Sequence, residues 1–181
     1  MAVRDVVYYG DSVLRKSCKD IPLNEDVSDL IDDLMESMYE AEGIGLAANQ
    51  IGISKNIFVV DITHIDEKEF PRIFINGKIE DTEGESVYSE GCLSLPELKF
   101  DVTRPESVTF RYWDENKKEH IKKFDGLLAR AIQHEVDHLN GILIIDRVSK
   151  VAKIPYLKQI RNIKNISTKG SRVKSKPQVY L

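Results

Sequence analysis

The chain has 181 residues, 41% of them hydrophobic and 31% charged, which fits one globular domain with a core of real size. Two cysteines, Cys18 and Cys92, are too few for a disulfide framework, and no apolar run reaches the roughly 18 residues of a membrane helix. The net charge of −4 hides an asymmetry: ten positive charges and no acidic residue follow Asp146, so residues 1–146 carry −14. An acidic body with a basic end points to contact with a polyanion at that end.

The first stretch, MAVRDVVYYGDSVLRK, lacks the continuous apolar core of a signal peptide, and a reducing, cytoplasmic setting is expected. Residues 5–22 read as an irregular lead with a turn at Tyr9-Gly10-Asp11-Ser12, and Cys18 within it reads as a packing residue. An amphipathic helix is expected over about 24–42. There Val27, Leu30, Ile31, Leu34, Met35 and Met38 form one apolar stripe, Asn24 or Asp26 is the expected cap, and Gly43 the stop. The small-residue stretch Gly43–Gly52 lacks both a phosphate-loop lysine and a third dinucleotide glycine.

Strands are expected at 57–62 and 72–75, followed by short β pieces over 77–90 broken at Gly84. A hairpin pairs 107–113 with a return near 118–124. His64 and His120 lie among charges, where a solvated state is expected. A helix follows from about 125 to 139, stopped by Gly141. A further helix is expected at 149–164. The expected architecture is α+β: antiparallel or mixed sheets around a central helix, with an N-terminal amphipathic helix and a C-terminal helix. One domain over 1–164 and a basic polar tail over 165–181 complete the division.

The chemistry is concentrated in that central helix. It carries His134-Glu135-Val136-Asp137-His138, and at roughly 100° per residue His138 lies about 40° and Glu135 about 100° from His134 on the helix wheel. Leu127 and Ala131 fall on the same side, so the two imidazoles and the carboxylate face the core, where they need partners. Two histidines and a free glutamate suit a divalent metal with a neighbouring base. A third ligand after the helix is limited to Asp146, because no glutamate follows Glu135 and position 144 is Ile144. Upstream choices are Cys92, His64, His120 or a carboxylate, and the glycine-flanked, apolar setting of Cys92 makes its thiolate the preferred ligand.

Three stretches in order now form a pattern: Gly43-Ile44-Gly45-Leu46-Ala47-Ala48-Asn49-Gln50, Glu90-Gly91-Cys92-Leu93-Ser94 and Gln133-His134-Glu135-Val136-Asp137-His138. Together they resemble the signature motifs of the peptide deformylases, a likeness that extends over about residues 5–148. Ser12, Leu95 and Glu97 stand where proline, isoleucine and glycine are frequent. The resemblance implies a hydrolase that removes the formyl group from the formylmethionine of nascent polypeptides. It implies Cys92, His134 and His138 as metal ligands, Glu135 as base and acid, and Gln50 and the Leu93 N–H as partners of the oxyanion. Gly45 would let the substrate backbone lie alongside, and Ile44, Leu127 and the helix surface near Arg130 are candidates for the methionine pocket. Fe²⁺ is the expected metal, with Zn²⁺, Ni²⁺ or Co²⁺ compatible with the same ligands. The substrate's origin suggests ribosomal RNA as the polyanion met by the basic end. A metallopeptidase and an inactive metal-binding ribosome-associated protein are the rival readings.

Overall fold

The computed structural model describes residues 3–168. The basic segment from 169 onward, most of the expected tail, lies outside the described residues. After a lead with one 3₁₀ turn at Ser12–Arg15, helix α1 spans Ser28–Glu40. It is shorter than the 24–42 expected. A turn closed by Glu25 N–H on Pro22 O takes up the preceding residues, and Val27 occupies the cap position. Asp26 still serves the helix start by accepting from Ser28 N–H at 3.0 Å.

Strands β1 (Gly45–Ala47), β2 (Ile57–Val60), β3 (Arg72–Glu83), β6 (Ser107–Trp113) and β7 (Glu119–Asp125) form one sheet in the order β1-β2-β3-β6-β7. Strands β4 (Ser86–Gly91) and β5 (Lys99–Arg104) form a separate pair. Every pairing of named strands is antiparallel. The expected strand at 72–75, paired with β2, runs on to Glu83 because β6 offers a partner from Ile75 to Glu83, with register shifts between Ile75 and Asp81. Phe58, Phe74, Phe110, Tyr112 and Phe124 interlock on one face of the sheet, with Phe74 4.7 Å from Tyr112 and 4.8 Å from Phe58 between ring centres. Cys18 packs against this cluster, and burial pushes its thiol up to about 11, as suits a small packing residue.

Helix α2 (Gly126–Leu139) lies against this core and is buried nearly all round. Its end is fixed by backbone chemistry: Gly141 N–H donates to His138 O at 3.0 Å and Ile142 N–H to Asp137 O at 2.9 Å. Such a Schellman closure needs a left-handed residue, and Gly141 has φ +73°. Beyond it come α3 (Ile144–Arg147), α4 (Lys150–Lys153) and α5 (Leu157–Thr168). The single helix expected at 149–164 is interrupted by a 3₁₀ turn at Ile154-Pro155-Tyr156, since proline has no N–H for the helical ladder. Helix α5 also continues past residue 164, the expected domain limit.

Two sequence expectations end differently. His64 is exposed, as read, but His120 is not simply solvated: its Nε2 lies 2.7 Å from Asp114 Oδ2, and its ring stacks on Tyr112 at 5.1 Å. Glu97, where the family favours glycine, adopts φ +63°. A Cβ in that region costs roughly 1–2 kcal/mol, of which glycine's greater freedom in the unfolded chain offsets part. Glu97→Gly is therefore expected to raise the unfolding free energy by up to about 1 kcal/mol, read as a higher urea midpoint.

Candidate metal centre

Three ligand atoms, one each from Cys92, His134 and His138, lie within 4.8 Å of one another, and all three residues are buried. Two come from one face of α2. The third comes from the turn directly after β4, on the way to its partner strand β5. Cys92 Sγ is 3.1 Å from His138 Nε2, and the two imidazole rings are 5.0 Å apart.

The protonation pattern is set by a carboxylate that supplies no ligand. Glu90, 0% exposed, has Oε2 3.1 Å from His134 Nδ1. An ionised carboxylate only accepts, so Nδ1 carries a proton and Nε2 is the nitrogen left to face Cys92 and His138. That Nε2 is buried without a hydrogen-bond partner among the described residues. Burial drives the Glu90 pKa upward, but hydrogen bonds and charge from His134 and Arg104 outweigh it and leave it at about 2. Burial together with the neighbouring His134 pushes His138 well below its ordinary value, so its imidazole is neutral, as a metal requires. For His134, burial acts downward, and Cys92 and Glu90 overcome it and raise the value to about 10, a proton for which a bound cation would compete. A cysteine sulfur and two imidazole nitrogens, brought together in a buried site, suit a borderline divalent metal. The residues present thus fit such a group.

Glu135, 1% exposed, stands beside the ligands with both carboxylate oxygens unbonded. Burial is the largest influence on it and pushes its pKa up to about 7. The nearby Ala47 N–H does not satisfy it, because that N–H donates to Gln50 Oε1 at 2.8 Å. Gly45 of β1 faces this carboxylate: a Cβ there would sit 2.5 Å from Glu135 Oε1. The glycine is thus required by Glu135, whatever else lies along β1.

The other expected site residues lie beside β1 (Ile44, Gln50), after β4 (Leu93) and on α2 (Leu127, Arg130). Gln50, 1% exposed, has its acceptor fixed by Ala47, while Nε2 makes only a long 3.3 Å contact with Ser94 Oγ. Its donor is therefore lightly held. Leu93 and Ile44 are buried next to Cys92 and Gly45, and Leu127 is half-buried at the start of α2. Arg130 is not at the helix surface. It is 4% exposed, and its guanidinium donates to Glu90 Oε1 (2.7 Å), Val102 O (3.1 Å), Ser86 O (2.9 Å) and Ser86 Oγ (2.8 Å). Only its alkyl stem is left to line a pocket.

Glu90 and its partners are the part that sequence reading missed. Arg104 donates twice to Glu90, at 2.7 and 2.9 Å, and once to Asp137 at 2.8 Å; Arg147 also holds Asp137. One signal was available: in β5 the buried positions alternate as Phe100, Val102 and Arg104, which places a charge on an inward face. Arg104→Leu would leave two buried carboxylates without their bridge. The expected loss of stability is about 3–5 kcal/mol, seen in denaturant unfolding of the purified variant.

Comparison with known proteins agrees with this geometry. The family model described as polypeptide deformylase matches residues 3–153. A peptide deformylase of Clostridium botulinum (strain Alaska E43 / Type E3) is 49% identical over 151 residues, covering 83% of this chain and 99% of the relative. One from Rhizobium meliloti (strain 1021) is 44% identical over 153 residues, with 83% and 88% covered. The crystal structure of a peptide deformylase from Legionella pneumophila superposes with a TM-score of 0.82 at 37% identity, covering 92% of this chain and 98% of the other. With the cysteine, both histidines and the glutamate all inside the matched span, this chain belongs to the polypeptide deformylase family.

Proposed function

We infer that this chain is a metal-dependent hydrolase that removes the formyl group from the N-terminal formylmethionine of newly made polypeptides and releases formate. The observation that carries the reading is the meeting of Cys92, His134 and His138 beside the buried, unbonded carboxylate of Glu135. A protease-type helix is here completed by a cysteine from upstream, just after the strand that carries Glu90, the carboxylate that holds His134.

In the proposed mechanism Cys92, His134 and His138 hold one divalent metal. When bound, the metal supplies Lewis-acid activation, lowering the pKa of water to about 7 and polarising the formyl oxygen. The remaining work falls to the side chains. Glu135 accepts a proton from the attacking water as it adds to the formyl carbon. The burial that raises its pKa places it near neutrality, where acceptance and return of a proton are both accessible. Gln50 Nε2 and the Leu93 N–H donate to the oxygen on which negative charge develops. Glu135 then passes its proton to the departing amine, the C–N bond breaks, and formate and a free N-terminus remain. β1, at one edge of its sheet, offers the peptide a backbone edge to lie along. Ile44, Leu127 and the stem of Arg130 form the methionine wall.

Fe²⁺ is the proposed metal, and the ferrous–thiolate pairing predicts inactivation in air through oxidation of the metal or of Cys92. The test is formate release from a formyl-Met peptide by protein purified without oxygen. Glu135→Ala should keep one metal per chain and lose about 10²–10⁴ in kcat, whereas Cys92→Ser should lose the metal as well. Stoichiometric zinc with full activity would remove iron from the proposal.

No helix among the described residues is long and apolar enough to cross a membrane. A cytoplasmic setting at the ribosome is proposed, with the basic C-terminal segment meeting ribosomal RNA through its phosphates. Removal of residues 165–181 should weaken co-sedimentation with ribosomes, and the wild-type binding should weaken as salt rises. Equal binding by both proteins would overturn this contact.

A further inference from the structure

The two donors assigned to the oxyanion stand on separate pieces of the fold. Gln50 follows β1 of the five-stranded sheet, whereas Leu93 follows β4 of the small one, and no ladder joins the two sheets among the described residues. The N-terminal segment spans that gap. Val7 N–H donates to Gln50 O at 2.7 Å, and Tyr9 N–H donates to Ser94 O at 2.8 Å. Residues two apart in an extended segment present their N–H groups along the same edge, so one short strap grips both loops. The strap has a backing of its own. Ser167 Oγ of α5 donates to Tyr8 O at 3.0 Å, and Lys164 comes so near Gly10 that a Cβ there would lie 2.8 Å from its carbonyl oxygen. Tyr8 itself, 7% exposed, packs in one cluster with Ile163 of α5 and with Cys92 and Leu95.

We propose that Val7 and Tyr9 are positioning residues that fix the spacing between the Gln50 and Leu93 donors, with α5 as the support behind them. Neither reaches the substrate; each acts through the backbone of a loop that does. Donors aimed at charge that develops only in the transition state affect kcat more than KM, and a displacement of about 1 Å can cost on the order of 10²-fold. The inference rests on the deformylase reading above.

The test replaces the N–H at Val7 or at Tyr9 with an ester oxygen, using the matching α-hydroxy acid, which leaves each side chain in place. An ester at Lys19, whose N–H donates to Ser54 O at 3.2 Å, is the control for the same change elsewhere. With one metal per chain confirmed, the Val7 and Tyr9 esters should lower kcat about tenfold with KM within twofold, and the Lys19 ester should not. Should an ester chain fail to fold, Ser167→Ala decides: a two- to threefold lower kcat at full metal occupancy supports the strap, and an unchanged kcat overturns it. Folded Val7 and Tyr9 esters with wild-type kcat also overturn it. Wild-type protein that releases no formate refutes the deformylase reading first, and this inference with it.

Discussion

The structure depends on how a carboxylate can be kept charged with no access to water. Glu90 is fully enclosed, and an isolated ion there would be untenable by many kcal/mol. Arg104 grips both of its oxygens, Arg130 grips one, and His134 donates to the other. The satisfied carboxylate then fixes the orientation of His134 and leaves its Nε2 to face Cys92 and His138. Arg104 extends the same set of contacts to Asp137 on α2. The metal centre thus inherits its geometry from an ion network that ties β4, β5 and α2 together. Removing any one member exposes the rest to the cost of unpaired burial.

Around that network the site is arranged by exclusion. Glu135 is dry enough to have its pKa raised toward neutrality, and Gly45 is bare so that its carboxylate fits at all. Gln50 has one end of its amide fixed by Ala47 and the other nearly free. These are features of preorganisation: few groups need to move for charge to develop where the donors already point.

Sequence reading recovered what is local or periodic. His134, Glu135 and His138 share a helix face by spacing alone, and the stripe from Val27 to Met38 and the 107–125 hairpin follow from the same kind of count. Cys92 emerged by elimination and by resemblance to a family. What stayed hidden was set by long-range partners. The partner of the Arg130 guanidinium is one of these, because nothing near it in sequence reveals Glu90, forty residues earlier. His120 was read as solvated because its partner Asp114 and its stacking ring Tyr112 lie across a turn and on the facing strand. The helix at 149–164 was drawn through Pro155, where stereochemistry alone should have broken it.

The division of the strands into two sheets has a consequence for how the candidate metal centre is held together. The β4–β5 pair is joined to the rest by a cluster around Leu95, Leu98 and Ile144, by the ion network and by the strap, without ladder bonds to the large sheet among the described residues. Those side-chain contacts and the two backbone bonds of the strap, in place of a ladder, keep Cys92 beside the two histidines. A metal held by Cys92, His134 and His138 would bridge that seam, and its affinity would add to the free energy that joins the two sides. Metal retention and the rigidity of this small sheet are in that sense one quantity, seen from the two sides of the same seam.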